Sequence, residues 1–164
     1  MNARVHDIVV TINGEETRAS VDARKTLVDF LREDVALTGS HVGCEHGVCG
    51  ACSVRVDGTV VRGCLMLAVQ CDGARVDTIE GVTDTDEIAD LQEAFIARNA
   101  LQCGYCTPGM LLTAQELLAA GGVPTREQIR VHLSGNYCRC TGYQAIVDAV
   151  ETVAKARHAS QGTR

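Results

Sequence analysis

Nine cysteines stand out in this 164-residue chain, which has no tryptophan and only two phenylalanines. They form two groups: Cys44, Cys49, Cys52, Cys64 and Cys71, then Cys103, Cys106, Cys138 and Cys140. A secreted disulfide framework usually shows an even cysteine count, a signal peptide and a shorter chain, and none of these is found. Metal ligation or redox chemistry is therefore the expectation, ahead of structural cross-links.

The spacing Cys44-x4-Cys49-x2-Cys52 is the one plant-type ferredoxins use to hold three corners of a [2Fe–2S] cluster. Gly43, Gly47 and Gly50 between them allow backbone angles that a side chain forbids, so the loop can wrap a cluster. Its amide N–H groups can then point at the sulfurs and offset their negative charge. The fourth ligand should come from the neighbouring hairpin, where Cys64 follows the return strand. Cys71, in the turn-like Gln70-Cys71-Asp72-Gly73, is the rival, and otherwise a spare thiol behaving as a small hydrophobe.

In the second group, Cys103-Gly104-Tyr105-Cys106-Thr107-Pro108 and Cys138-Arg139-Cys140-Thr141-Gly142 each put two cysteines before a threonine at a helix start. Such a position favours thiolate through free N–H groups and the helix dipole. Two facing helix ends would bring four thiolates around one point, suiting a second [2Fe–2S] cluster with one cysteine pair per iron. Zinc also accepts four cysteines. A thioredoxin-like pair would need a βαβ context that is absent here. His41, His46, His132 and His158 read as solvated or locally bonded, since no later Cys-x-x-His completes a Rieske pattern.

The elements that must position these thiols change character near Gly81. Before it, Val5 to Ile12 and Glu15 to Val21 read as strands about an Asn13-Gly14 turn, and a second hairpin turns at Asp57-Gly58. Thr26 to Leu31 reads as one short helix, and Arg75 to Ile79 as a last strand. Strands with one helix across them make a small α+β unit. After Gly81, capping signals predict four helices, opened by Asp84 with Glu87, Thr107-Pro108, Thr125 with Gln128, and Thr141 with Gln144. Short connections suggest a four-helix bundle. The expected domains are residues 1–80 and 81–164.

The formal net charge of −6 argues against a general nucleic-acid binder, which needs a basic face. No apolar run reaches the ~18 residues of a membrane span. Met1 to Asp7 shows neither an apolar export segment nor paired arginines, so a cytoplasmic location is expected. No phosphate-cradling loop and no Ser/His/Asp or paired-carboxylate frame stands out, so no catalytic residue is assigned. A chain with two redox centres and no substrate site is a wire, and it needs partner chains at both ends.

Three segments carry a resemblance: Gly43-Cys44-Glu45-His46-Gly47-Val48-Cys49-Gly50-Ala51-Cys52, Gln102-Cys103-Gly104-Tyr105-Cys106-Thr107-Pro108-Gly109, and Gly135-Asn136-Tyr137-Cys138-Arg139-Cys140-Thr141-Gly142-Tyr143. In this order they resemble the signatures of the iron–sulfur small subunit of molybdenum hydroxylases, the xanthine dehydrogenase and aerobic carbon monoxide dehydrogenase family. The likeness runs from about Val5 to Val153, with Tyr137 where the family often has leucine. It implies an N-terminal β-grasp, ferredoxin-like domain followed by a helical domain. It also implies electrons passing from a molybdopterin centre on a large partner to the Cys103, Cys106, Cys138 and Cys140 cluster. From there they would reach the Cys44, Cys49, Cys52 and Cys64 cluster and leave through FAD on a medium partner. By the same likeness Gln102 reaches the pterin, with Cys140 nearby, and the complex is a dimer of heterotrimers. A free ferredoxin-like carrier and a zinc-stabilised interaction protein are the alternatives.

Overall fold

The computed structural model describes residues 5–161. Strands β1 (Val5–Ile12) and β2 (Glu15–Asp22) pair antiparallel. Asn13 and Gly14 join them at φ 51° and 87°, the two left-handed residues that a tight hairpin turn requires. Alternation puts Ile8, Val10 and Ile12 in the core. Helix α1 (Leu27–Asp29) starts at Thr26, whose hydroxyl accepts the Asp29 N–H, and widens into a π-helical turn over Phe30–Asp34. It buries Leu27, Phe30 and Leu31 against the sheet.

Strands β3 (Ser53–Val56) and β4 (Thr59–Arg62) form the second hairpin, and β5 (Arg75–Asp77) inserts between β1 and β3, parallel to β1. The sheet order is β2-β1-β5-β3-β4. The described residues thus contain a five-stranded sheet with a helix across it, followed by α2 (Ile79–Asp84), α3 (Ala89–Ala97), α4 (Thr107–Ala119), α5 (Arg126–His132) and α6 (Gln144–Gln161). One buried cluster, from Ile8 to Val76, lies under the sheet. A second, from Ile79 to Ala154, joins the helices.

The helix starts differ from their sequence signals in three places. Only Thr125 with Gln128 forms the reciprocal cap. Helix α2 ends at Asp84, the chain turns through Asp86 at φ 57°, and α3 begins at Ala89. Glu87 does not cap, because its carboxylate takes two hydrogen bonds from Arg55 of β3, at 2.6 and 2.9 Å. A bidentate, charge-assisted pair outcompetes a neutral cap. At α4 the cap position is Cys106, with Thr107 already helical. At α6 the Thr141 hydroxyl lies 3.1 Å from Cys138 Sγ and accepts the Tyr143 N–H, so the helix starts only at Gln144.

Arg55 ties the sheet to the helices. It bonds Asp77 at 3.0 Å as well as Glu87, and Glu87 also accepts from Gln115 of α4 at 3.1 Å. The Arg55 pairing outweighs burial and holds the Glu87 carboxyl below its ordinary value of 4.5. A depressed folded-state pKa means the contribution is complete above the ordinary value and is lost as pH falls through the folded one. Glu87→Gln is expected to cost about 2 kcal/mol near neutral pH, since bonds to charged groups contribute about that much. The gap to the parent should close below pH 4.5. Denaturant titrations of both proteins across that range measure it.

Candidate metal centres

The loop between the π-helical turn and β3 carries Cys44, Cys49 and Cys52. Gly47 and Gly50 take left-handed angles there, φ 85° and 74°. Gly43 does not, among the described residues. A Cβ on it would stand 3.0 Å from Cys49 Sγ, so its role is to leave room for that sulfur. The Cys49 N–H points at Cys44 Sγ at 3.4 Å. Backbone N–H groups, that of His46 first and then those of Cys49 and Val48, pull the Cys44 thiol down to about 6. The loop is thus built to receive negative charge on sulfur.

Cys64 stands two residues after the end of β4 and lies beside Cys52, the two packed with Val28 and Val42. The Gly63 N–H donates to the Cys52 carbonyl at 3.0 Å, pinning the two stretches together. Burial pushes the Cys52 thiol up to about 11, so it needs a nearby positive centre to become a thiolate. Cys71 is elsewhere. It is fully buried in the core under the sheet, and burial lifts its thiol to about 11 as well.

In the helical half, Cys103 Sγ and Cys140 Sγ are 3.6 Å apart, and both residues are exposed. Cys106 neighbours Cys138, and burial raises its thiol to about 12. Cys138 is also pushed up by burial, but the Thr141 hydroxyl and N–H outweigh this and leave it lowered. The Cys138–Cys140 pair lies in the loop before α6 rather than on its first turn, so only Cys106 occupies a helix cap. The Gln102 amide donates to the Cys140 carbonyl at 3.1 Å, bringing these two residues together at the surface.

Among the described residues, no three His, Cys, Asp or Glu side chains are set to hold a single ion. The thiols gather in pairs instead. Such pairs suit a di-iron centre taking two cysteines per iron. The eight-thiol donor set and its aimed N–H groups fit two such centres.

The sequence reading missed the contacts between the two loops. His41 stacks on Tyr105, ring centroids 4.4 Å apart, and the Tyr105 hydroxyl donates to the Val42 carbonyl at 2.7 Å. Asn136 and Tyr137 bond the Cys49–Gly50 stretch. In the sequence all four look like spacers, and no local pattern marks them.

A ferredoxin-like sheet and a helical unit, each presenting four thiols, define an iron–sulfur protein. The comparisons agree: a 2Fe-2S iron-sulfur cluster binding domain model matches residues 10–81, and a [2Fe-2S] binding domain model matches residues 78–151. The chain is 54% identical over 144 residues to the nicotine 6-hydroxylase small subunit of Paenarthrobacter nicotinovorans, spanning 88% of this chain and 87% of that protein. It is 48% identical over 151 residues to the caffeine dehydrogenase subunit gamma of Pseudomonas sp. (strain CBB1), spanning 90% of each. The crystal structure of quinoline 2-oxidoreductase from Pseudomonas putida 86 superposes with a TM-score of 0.89 at 46% identity, covering 96% of this chain and 98% of that one. The chain belongs to the family of iron–sulfur small subunits of molybdenum hydroxylases.

Proposed function

We propose that this chain is the electron-transfer subunit of a molybdenum-containing hydroxylase or dehydrogenase. Cys44, Cys49, Cys52 and Cys64 hold one [2Fe–2S] cluster, and Cys103, Cys106, Cys138 and Cys140 hold the other. When bound, the clusters carry single electrons between a molybdopterin centre on a large partner and FAD on a medium partner. The observation that carries this is the pairing of thiols, Cys52 with Cys64 and Cys103 with Cys140, within two sets of four that leave Cys71 out. The chain's own contribution is placement and electrostatics: N–H groups at Cys44 and Cys138 stabilise thiolate, and burial at Cys52 and Cys106 excludes water.

On this reading residues 1–80 are the β-grasp domain and 81–164 the helical domain, in which α3 to α6 are the four expected helices and α2, across the boundary, is a fifth that the sequence signals did not mark. Gln102 and Cys140, bonded at the surface, face the pterin of the large partner. The assembly is a dimer of heterotrimers in the cytoplasm; among the described residues no helix is long and apolar enough to cross a membrane. Nicotine, caffeine and quinoline, which name the three relatives above, are all N-heterocycles, and that is the substrate class we assign to the complex. Its pocket would lie on the large partner.

The test is purification of the complex. Expected are two larger co-eluting chains, two irons and two inorganic sulfides for each of two centres, and two distinct paramagnetic signals on reduction. A colourless, zinc-loaded sample overturns the cluster reading. A coloured chain eluting alone favours the free carrier instead.

A further inference from the structure

The two thiol loops are bonded to each other through Asn136, which the ligand pattern does not require. Asn136 is 1% exposed. Its amide nitrogen donates to the Gly50 carbonyl at 3.3 Å. Its carbonyl oxygen accepts from the Thr113 hydroxyl at 3.1 Å and from Arg62 at 3.3 Å. Arg62 also donates to the Gly135 carbonyl at 2.9 Å and to the Ser53 hydroxyl oxygen at 2.6 Å, and that hydroxyl donates to Gly50 at 2.7 Å. A buried amide satisfied on both ends tolerates few alternative arrangements, because any displacement strands polar groups away from water. The packing is equally intolerant. A Cβ on Gly50 would meet Asn136 Nδ2 and the Gly135 carbonyl oxygen at 2.6 Å.

One residue further, the Tyr137 N–H donates to the Cys49 carbonyl at 2.8 Å. Tyr137 precedes Cys138. Cys49 and Cys138, one from each set, are therefore joined by backbone covalent bonds interrupted by a single hydrogen bond. Electron tunnelling weakens steeply across through-space gaps and less along bonds, so this contact supplies a bonded path between the sets.

We infer that Asn136 and Tyr137 form a positioning element that keeps Cys49 and Cys138 in electronic contact, with the Tyr137 N–H to Cys49 carbonyl bond as the link. The inference rests on the ligand assignment above. The step it serves moves one electron from the helical side to the sheet side, and no bond is made or broken.

Tyr137→Pro tests it, since proline has no N–H. Asn136, at φ −121° and ψ 111°, already has the extended backbone preferred before proline. Tyr137→Leu keeps the N–H and serves as control. The purified complex is mixed with less than one equivalent of a one-electron reductant and frozen at intervals, and the redistribution between the two paramagnetic signals is followed. Iron is measured in the same samples. Tyr137→Leu should match the parent, whereas Tyr137→Pro and Asn136→Ala should redistribute more slowly with both centres loaded. Parent-like redistribution in fully loaded Tyr137→Pro overturns the inference. Should that variant lack iron, parent-like redistribution in loaded Asn136→Ala overturns it instead. Thr113→Val, which removes one donor to Asn136 and alters neither loop, decides in the same way should both lose iron. An unaltered complex with one signal or none would count against the ligand assignment itself, so the two failures are distinguishable.

Discussion

Cys64→Ser should abolish one of the two paramagnetic signals of the reduced complex, whereas Cys71→Ser should leave both. Cys64 sits against Cys52, so removing its sulfur takes one corner from the sheet-side set. Cys71 instead fills space in the apolar core beneath the sheet. Its replacement puts a hydroxyl where little can bond it, and the expected result is a stability loss of about 1–3 kcal/mol with full iron content. The pair of variants thus separates ligation from packing. Loss of a signal in Cys71→Ser, or two intact signals in Cys64→Ser, would reverse the assignment.

Gly109→Ala is the second large effect, and here two tendencies oppose each other. Gly109 lies in the first turn of α4 at an ordinary helical angle, where alanine is intrinsically better by about 1 kcal/mol. Yet an added Cβ would come within 2.2 Å of the Gly50 carbonyl oxygen, a backbone atom in the sheet-side loop. That loop is held by Asn136 and cannot step aside without breaking its bonds. Overpacking of this kind costs about 1–3 kcal/mol, and the immobile neighbour argues for the upper end, leaving a net loss of about 2 kcal/mol. Chemical denaturation of the iron-loaded protein measures it. A stabilised variant would mean that the two loops are looser than the glycine contact implies.

The parts of this molecule that depend on near neighbours in the chain could be read from the sequence. Asn13-Gly14 and Asp57-Gly58 adopt the left-handed turn angles their types favour, and Thr125 caps through Gln128 because that box is local. Cysteine spacing likewise divided the thiols between the two halves of the chain. What could not be read depends on distant partners. Glu87 looked like a cap until Arg55, far back in β3, claimed its carboxylate. Thr141 is the local exception: near neighbours, Cys138 Sγ and the Tyr143 N–H, engage the hydroxyl that its capping signal assigned to the helix. Asn136 carries no local signature at all, because its partners Gly50, Arg62 and Thr113 come from three separate segments.

The two thiol sets differ in what solution can touch. Cys103 and Cys140 lie open on the outside of the folded chain. Cys52 and Cys64 are closed in with Val28 and Val42. Thiol-directed reagents should therefore label Cys103 and Cys140 of the folded chain well before Cys52 and Cys64.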